Sequence, residues 1–293
     1  TVSGRIEAAG GKVELRSYTG DVHLEGQASL DLAGTELDER GRSAGAQAVS
    51  VKGGEALLQA GQSIEIDSGT QIDVSAGVWR NGKGAVAKGA AGSISLAANT
   101  STETRAVVLE DGETTRTVYP RHGHVLLNGQ LSGFDFSSGG ALSISGVPSL
   151  TLGGQTASSD KGLQLGQDFF SDHGFGTFKL SALGDVTVLD NAQITPTLRN
   201  LAFQASSRNP NDRGVLVTQT LDKGLRKGVN LTLEAKSEPV GLNVTASEGY
   251  EEGASLTVGQ DTLIDVGAGG SINLRAGRNL VVDGTLRAQG GTI

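Results

Sequence analysis

Chemistry in this chain would have to come from carboxylates, histidines and one short basic segment, because its 293 residues contain no cysteine and no methionine. Asp67 with Asp73, and Asp185 with Asp190, are spaced so that neighbouring structural repeats could bring each pair onto one face. Two carboxylates about 5–10 Å apart in a cleft are what glycoside hydrolysis requires. Yet each of these aspartates stands in a stretch rich in Gly, Ser or Asn, where a short acidic side chain caps backbone amides at a chain corner. Turn chemistry is therefore the reading adopted. His122 and His124, two apart, could meet a metal from one strand face, but Arg121 adjoins them and no third ligand is in view; they read as a solvated hairpin exit. "GLRKG" (224–228) is the densest basic segment and reads as a solvated turn.

Other signatures are missing. There is no H-E-x-x-H, G-x-S-x-G or phosphate-binding loop pattern, and "GFGTFKL" (174–180) does not complete a dinucleotide fingerprint. No catalytic residue, cofactor or metal is expected. The triplets at Asn99, Asn230 and Asn243 satisfy N-x-[ST] in a chain where Ser and Thr make chance matches common.

The elements that would carry these residues are short strands. In "GGSINLRAGRNLVVDGTLRAQGG" (269–291), Ile272 with Leu274, Leu280 with Val282, and Leu286 with Ala288 alternate with polar neighbours, the period of a half-buried strand. "LQAGQSIEIDSGTQIDV" (58–74) aligns with 274–288, so that Leu58 matches Leu274, Ile64 and Ile66 match Leu280 and Val282, and Asp67 matches Asp283. Weaker copies begin at 10, 91, 139 and 178. Forty-five glycines against five prolines describe a chain made of turns. At this length a repetitive, elongated unit is favoured over one globular core.

Three to five residues connect most runs, and the pattern recurs after two or three strands. That favours an all-β, right-handed parallel β-helix, a solenoid of about 20–25 residues per coil, over a hairpin meander. About nine to eleven coils would make a rod on the order of 50 Å long. Glycine would supply corners at positive φ. The whole of 1–293 is expected to be one elongated segment. It opens and closes inside the repeat pattern, as an excerpt from a longer chain would.

Three excursions interrupt the rhythm. In 102–123, β-branched runs flank Glu110-Asp111-Gly112, and a protruding hairpin with Asp111-Gly112 in its turn is expected. The second, 156–178, gathers Phe169, Phe170, Phe175 and Phe178, either as a partner patch or, by preference, as a satellite core under a loop. His173 there reads as a loop residue with a local hydrogen bond. The third, 206–228, has a turn at 209–212 and one strand-like run, 215–220. As candidate interaction surface the sequence offers Val108, Leu109, Glu110, Asp111, Gly112 and Glu113 of the hairpin, with Phe169, Phe170 and Phe175.

A net charge of −8 and scattered Lys and Arg argue against nucleic acid. No run approaches the roughly 20 apolar residues that span a bilayer.

The phrase L-x-A-G-x-x-I/L-x-I/V-D-G-x-I/L at 58–74 and 274–288, with "GGSINL", "AGSISL" and "GDVTVLDNAQI", resembles the filamentous haemagglutinin family of large bacterial exoproteins. The resemblance covers most of the chain outside the three excursions. It implies a structural and adhesive segment of a giant adhesin, exported by two-partner secretion through an outer-membrane transporter partner. Such a protein is secreted or displayed on a Gram-negative cell, where it meets a surface or matrix receptor or glycan. The family's secretion domain carries Asn-Pro-rich motifs; "RNPND" (208–212) echoes them only superficially, so that domain is expected to be missing. No binding residue carries over. A chain without cysteine suits passage across an oxidising periplasm. The alternatives are a carbohydrate-active β-helix, either a tailspike-like hydrolase or a lyase, and the stalk of a contact-dependent toxin-delivery protein.

Overall fold

A computed structural model describes residues 1–39, 50–83, 85–108, 114–120, 123–159, 161–204, 215–236 and 253–293. The fold is all-β, with a single four-residue helix, Phe169–Asp172, among the described residues. That helix is far too short to cross a membrane, and no described helix is long and apolar enough to do so.

The backbone of the fold is a seven-stranded sheet: Lys12–Ser17, Glu55–Ala60, Ser93–Ala97, Gly140–Val147, Phe175–Ala182, Asn230–Ala235 and Ser271–Ala276. Every neighbouring pair in it is parallel. After each of the first two strands the chain enters a second sheet, at Val22–Leu24 and Ile64–Ile66, and then a third, at Ser29–Asp31 and Gln71–Asp73. In the last repeat Ser271–Ala276 is likewise followed by two short strands, Leu280–Val282 and Thr285–Arg287, but these belong to two other sheets. Each sheet is open, with two edges.

Register explains the hydrophobic pattern. In the long sheet Val13, Ala56, Ile94, Leu142, Phe178, Leu231 and Ile272 stand in one in-register row, all buried. In the second sheet Val22, Ile64 and Val125 form another row, and in the third Leu30, Ile72 and Leu131 do the same. Alternate residues such as Glu14, Glu65 and Gln71 lie on the opposite, wetter face. The period-2 runs read from the sequence thus mark real strands, and successive runs, eight to ten residues apart, belong to different sheets.

The aligned copies coincide in the long sheet, whereas the aligned Ile64–Ile66 and Leu280–Val282 belong to two different sheets. Leu58 and Leu274 share a row of the long sheet. Ile64 and Ile66 are fully buried, while Leu280 and Val282, which pair with the buried Leu256 and Val258, are 51% and 41% exposed. The difference is positional: Leu280–Val282 is the last strand of its sheet, so only one side of its row has a neighbour.

Through the middle of the chain the repeat is longer than the expected 20–25 residues. Lys12 pairs with Glu55 and Glu55 with Ser93, so stacked partners in the long sheet lie about 40 residues apart, whereas at the two ends of the chain Arg5 pairs with Ser29, Leu256 with Leu280 and Leu263 with Thr285 at about the expected 20–25. A fourth short strand, Glu36–Asp38 or Val78–Arg80, extends the first two repeats, and later repeats carry excursions. Seven strands at about 4.8 Å span on the order of 30 Å along the stack, well under the 50 Å that shorter repeats implied.

Antiparallel pairing among the described residues is confined to four local hairpins: 78–80 with 86–88, 102–108 with 114–120, 157–159 with 162–165, and 199–204 with 215–220. Three of them lie in or overlap the excursions; the first, closed by Asn81, has no signal in the sequence strong enough to separate it from a loop.

Candidate functional site

The expected hairpin is present. Thr102–Val108 pairs with Thr114–Pro120, Val108 standing opposite Thr114, and these two strands form a sheet of their own. Its turn, with Leu109, Glu110, Asp111, Gly112 and Glu113, lies outside the described residues, as do His122 and the 209–212 turn. The run 215–220 is a strand, as its pattern suggested.

The phenylalanines do not form a surface. Phe169, Phe170, Phe175 and Phe178 are 7%, 2%, 1% and 1% exposed and belong to the main apolar core, which corrects both the partner-patch reading and the idea of a separate satellite. Phe170 meets Phe178 edge-on at 5.1 Å, and Phe175 meets Phe178 likewise at 6.2 Å, geometries that favour aromatic pairs. Phe175 packs against Gly133, where any Cβ would collide with its ring. The helix Phe169–Asp172 thus tucks two rings inward, into the main apolar core.

His173, next along, has a partner far away in sequence: its Nδ1 donates to the carbonyl of Leu131 at 2.9 Å. Its ring also lies 4.9 Å from that of Phe169. Burial lowers its pKa below the usual 6.5, opposed by the Leu131 bond and the Asp172 charge.

The aspartates divide into two structural classes. Asp73, Asp135 and Asp265 accept from backbone amides two residues on, the Asx-turn habit. Asp21, Asp185 and Asp190 instead accept from Ser63, Ser255 and Gln260, 42 or 70 residues away, and so tie neighbouring repeats together. Asp67 binds His23 Nε2 at 2.9 Å.

That bond belongs to a stripe on the wet face of the second sheet. His23 and Glu65 are register partners, with Nε2 to Oε2 at 3.8 Å, and His124 Nε2 stands 3.4 Å from the other oxygen of Glu65. The stripe joins three consecutive repeats by hydrogen bonds and close imidazole–carboxylate contacts. Among the described residues no group of three or more such side chains is placed to hold a metal ion. The sequence hid the stripe because its members are 44 and 59 residues apart; the clue available was the alignment of repeats, which sets His23 against Glu65.

A second cluster was also unseen. Phe203 of the 199–204 strand stacks 5.7 Å from Phe136 and under the guanidinium of Arg80, 4.3 Å from the ring centre, with Lys88 over Phe136 at 5.0 Å. Beside Arg80, Trp79 donates its indole N–H to the buried Glu39 at 2.9 Å. Asn200, wholly buried, donates to Ser137 O at 3.0 Å and leaves its Oδ1 without a partner. This cluster clamps the 199–220 hairpin onto earlier repeats. No protein-family model, curated protein or solved structure matches the chain.

Proposed function

We propose that the chain is a right-handed parallel β-helix segment of a filamentous haemagglutinin-like exoprotein. In this reading it is a structural and adhesive stalk, secreted or held at the surface of a Gram-negative cell after passage through an outer-membrane transporter. The observation that carries the reading is the in-register apolar row running through all seven strands of the long sheet. Units that bury their inner face only against neighbours make a stiff, extendable spacer. Parallel strands joined in the first two repeats in the order long, second and third sheet suit a continuous winding, and the crossover rule makes it right-handed. The repeat phrases supply the family likeness. Recognition is assigned to the 102–123 hairpin, whose strands pair only with each other among the described residues.

The test uses beads coated with the chain and offered to cultured epithelial cells. Coated beads adhere more than albumin-coated ones, and replacing 103–120 with a short Gly linker lowers adhesion while the circular dichroism spectrum and melting stay unchanged. Adhesion no better than albumin contradicts the adhesive role; adhesion unaffected by the deletion removes the hairpin from it.

A further inference from the structure

We propose that a pocket beside the basic 224–228 segment binds a phosphate group, either as a monoester or as the free ion. This goes beyond the stalk reading and does not depend on it. Asp222 accepts from the amides of Leu225 and Arg226, which makes a tight turn of the loop, and Gly228 and Val229 donate to Ala268 and Val266, which pins the loop against the corner of the last repeats. Between this loop, the 195–198 segment and the strand Thr285–Arg287 lies a cavity of about 240 Å³ lined by Lys223, Arg226, Lys227, Asp265, Arg287 and Gln289.

In an acidic chain, four cations here face one carboxylate. Asp265 pairs with Arg287, its register partner, at 3.3 Å. Lys223, Arg226 and Lys227 have no acidic partner among the described residues, and Nε of Arg226 is buried without any acceptor. A buried donor left unmade costs the full desolvation of its N–H group, so an acceptor brought to the Arg226 side chain from outside would offset that cost. The sequence alone reads 224–228 as a solvated turn; folding adds Arg287 from about 60 residues further along and a wall that partly desolvates Arg226.

Charge and size select the ligand. A phosphate monoester carries about −1.5 to −2 at neutral pH and offers three acceptor oxygens, which matches several unpaired cations better than the single charge of a carboxylate, a phosphodiester or a sulfate ester. Arginine adds a planar fork suited to two of those oxygens. The volume falls below the roughly 300–1,000 Å³ of pockets that enclose drug-sized ligands, so the site would take one phosphorylated head group rather than a polymer segment.

The experiment is titration calorimetry of the whole chain at low ionic strength with inorganic phosphate, glucose 6-phosphate and glucose 6-sulfate. Both phosphates bind more tightly than the sulfate ester, and Arg226→Gln weakens phosphate about tenfold or more, the worth of one charge-assisted hydrogen bond. The double variant Lys223→Gln/Lys227→Gln, on exposed side chains, weakens it too, with an unchanged circular dichroism spectrum. Lys12→Gln, on the first strand, leaves it unchanged. A preference for glucose 6-phosphate identifies a phosphorylated sugar as the source, and equal affinities identify free phosphate; both uphold the site. No binding at millimolar concentration, unchanged affinity in both loop variants, or equal binding of the sulfate ester overturns it.

Discussion

Asn99, in the left-handed region at φ 52°, donates from Nδ2 to the carbonyl of Gly146 at 2.6 Å. The same amide donates to Gly123 O at 2.8 Å, and Asn99 Oδ1 accepts from Gly123 N. Gly146 itself has φ +77°, and a Cβ there would run into the carbonyl of Ala98. One side chain therefore locks a corner to its neighbours. Thr100 and Ser101 continue the lock through hydroxyls that donate to Ala60 O and Gly61 O, each at 2.8 Å. The Asn99-Thr100-Ser101 triplet is thus a corner motif whose amide is already committed to two carbonyls.

Asn99→Ala should lower stability by about 2 kcal/mol or more, since it strands two carbonyls and an amide and puts a Cβ-bearing residue without a polar side chain at positive φ. Asn99→Gly keeps the backbone geometry and should lose less. Urea unfolding of the two variants separates the bonds from the dihedral; equal losses would show that φ contributes nothing.

The apolar rows predict a position-dependent cost for one chemical change. Leu58→Ala, at a fully buried site between two neighbouring strands, should cost about 2–5 kcal/mol, whereas Leu280→Ala, half exposed on the edge strand, should cost about 1 kcal/mol or less. The two residues are matched in type and in strand alternation, so equal losses in denaturant melts would contradict the assignment of inner and edge strands.

How far the sequence could be read follows from the same residues. Ile64, Ile66 and Ile72 were legible because alternation survives in three-residue strands and because Gly and Asp punctuate them. The repeat length was legible only at the two ends of the chain: further in, Val78–Arg80 has no polar-apolar alternation to mark it as a strand, so a whole connection went uncounted. Aromatic clustering at 169–178 signalled packing, but whether rings point inward is decided by a four-residue helix that carries no periodicity. His23 with Asp67, and Arg80 with Phe203, were out of reach because stacking brings together residues that no local pattern links. Lys223 to Lys227 read as a turn for the same reason.

His173 makes stability sensitive to mild acid. Its pKa is lowered in the folded chain, chiefly by burial, so below the usual 6.5 the unfolded chain binds a proton that the folded chain resists. The contribution is therefore fully present above pH 6.5 and is lost as pH falls through the folded pKa. Melting temperature should drop between pH 7 and pH 5 by more in the native chain than in His173→Gln. A parallel decline in both would assign the acid sensitivity to other groups.

The stacking of repeats is tested most directly by engineered disulfides, since the chain has no cysteine of its own to interfere. Ser95 and Ser143 are register partners on the outer face of the long sheet, 48 positions apart in sequence, and Lys179 lies one strand further on. Neighbouring parallel strands place such partners about 4.8 Å apart, within the roughly 4.4–6.8 Å that a disulfide bridges, and a two-strand step exceeds it. The variant Ser95→Cys/Ser143→Cys should cross-link on mild oxidation and run as a faster band on non-reducing gels, while Ser95→Cys/Lys179→Cys should stay reduced. Cross-linking of the second pair but not the first, or of neither, would contradict the stack.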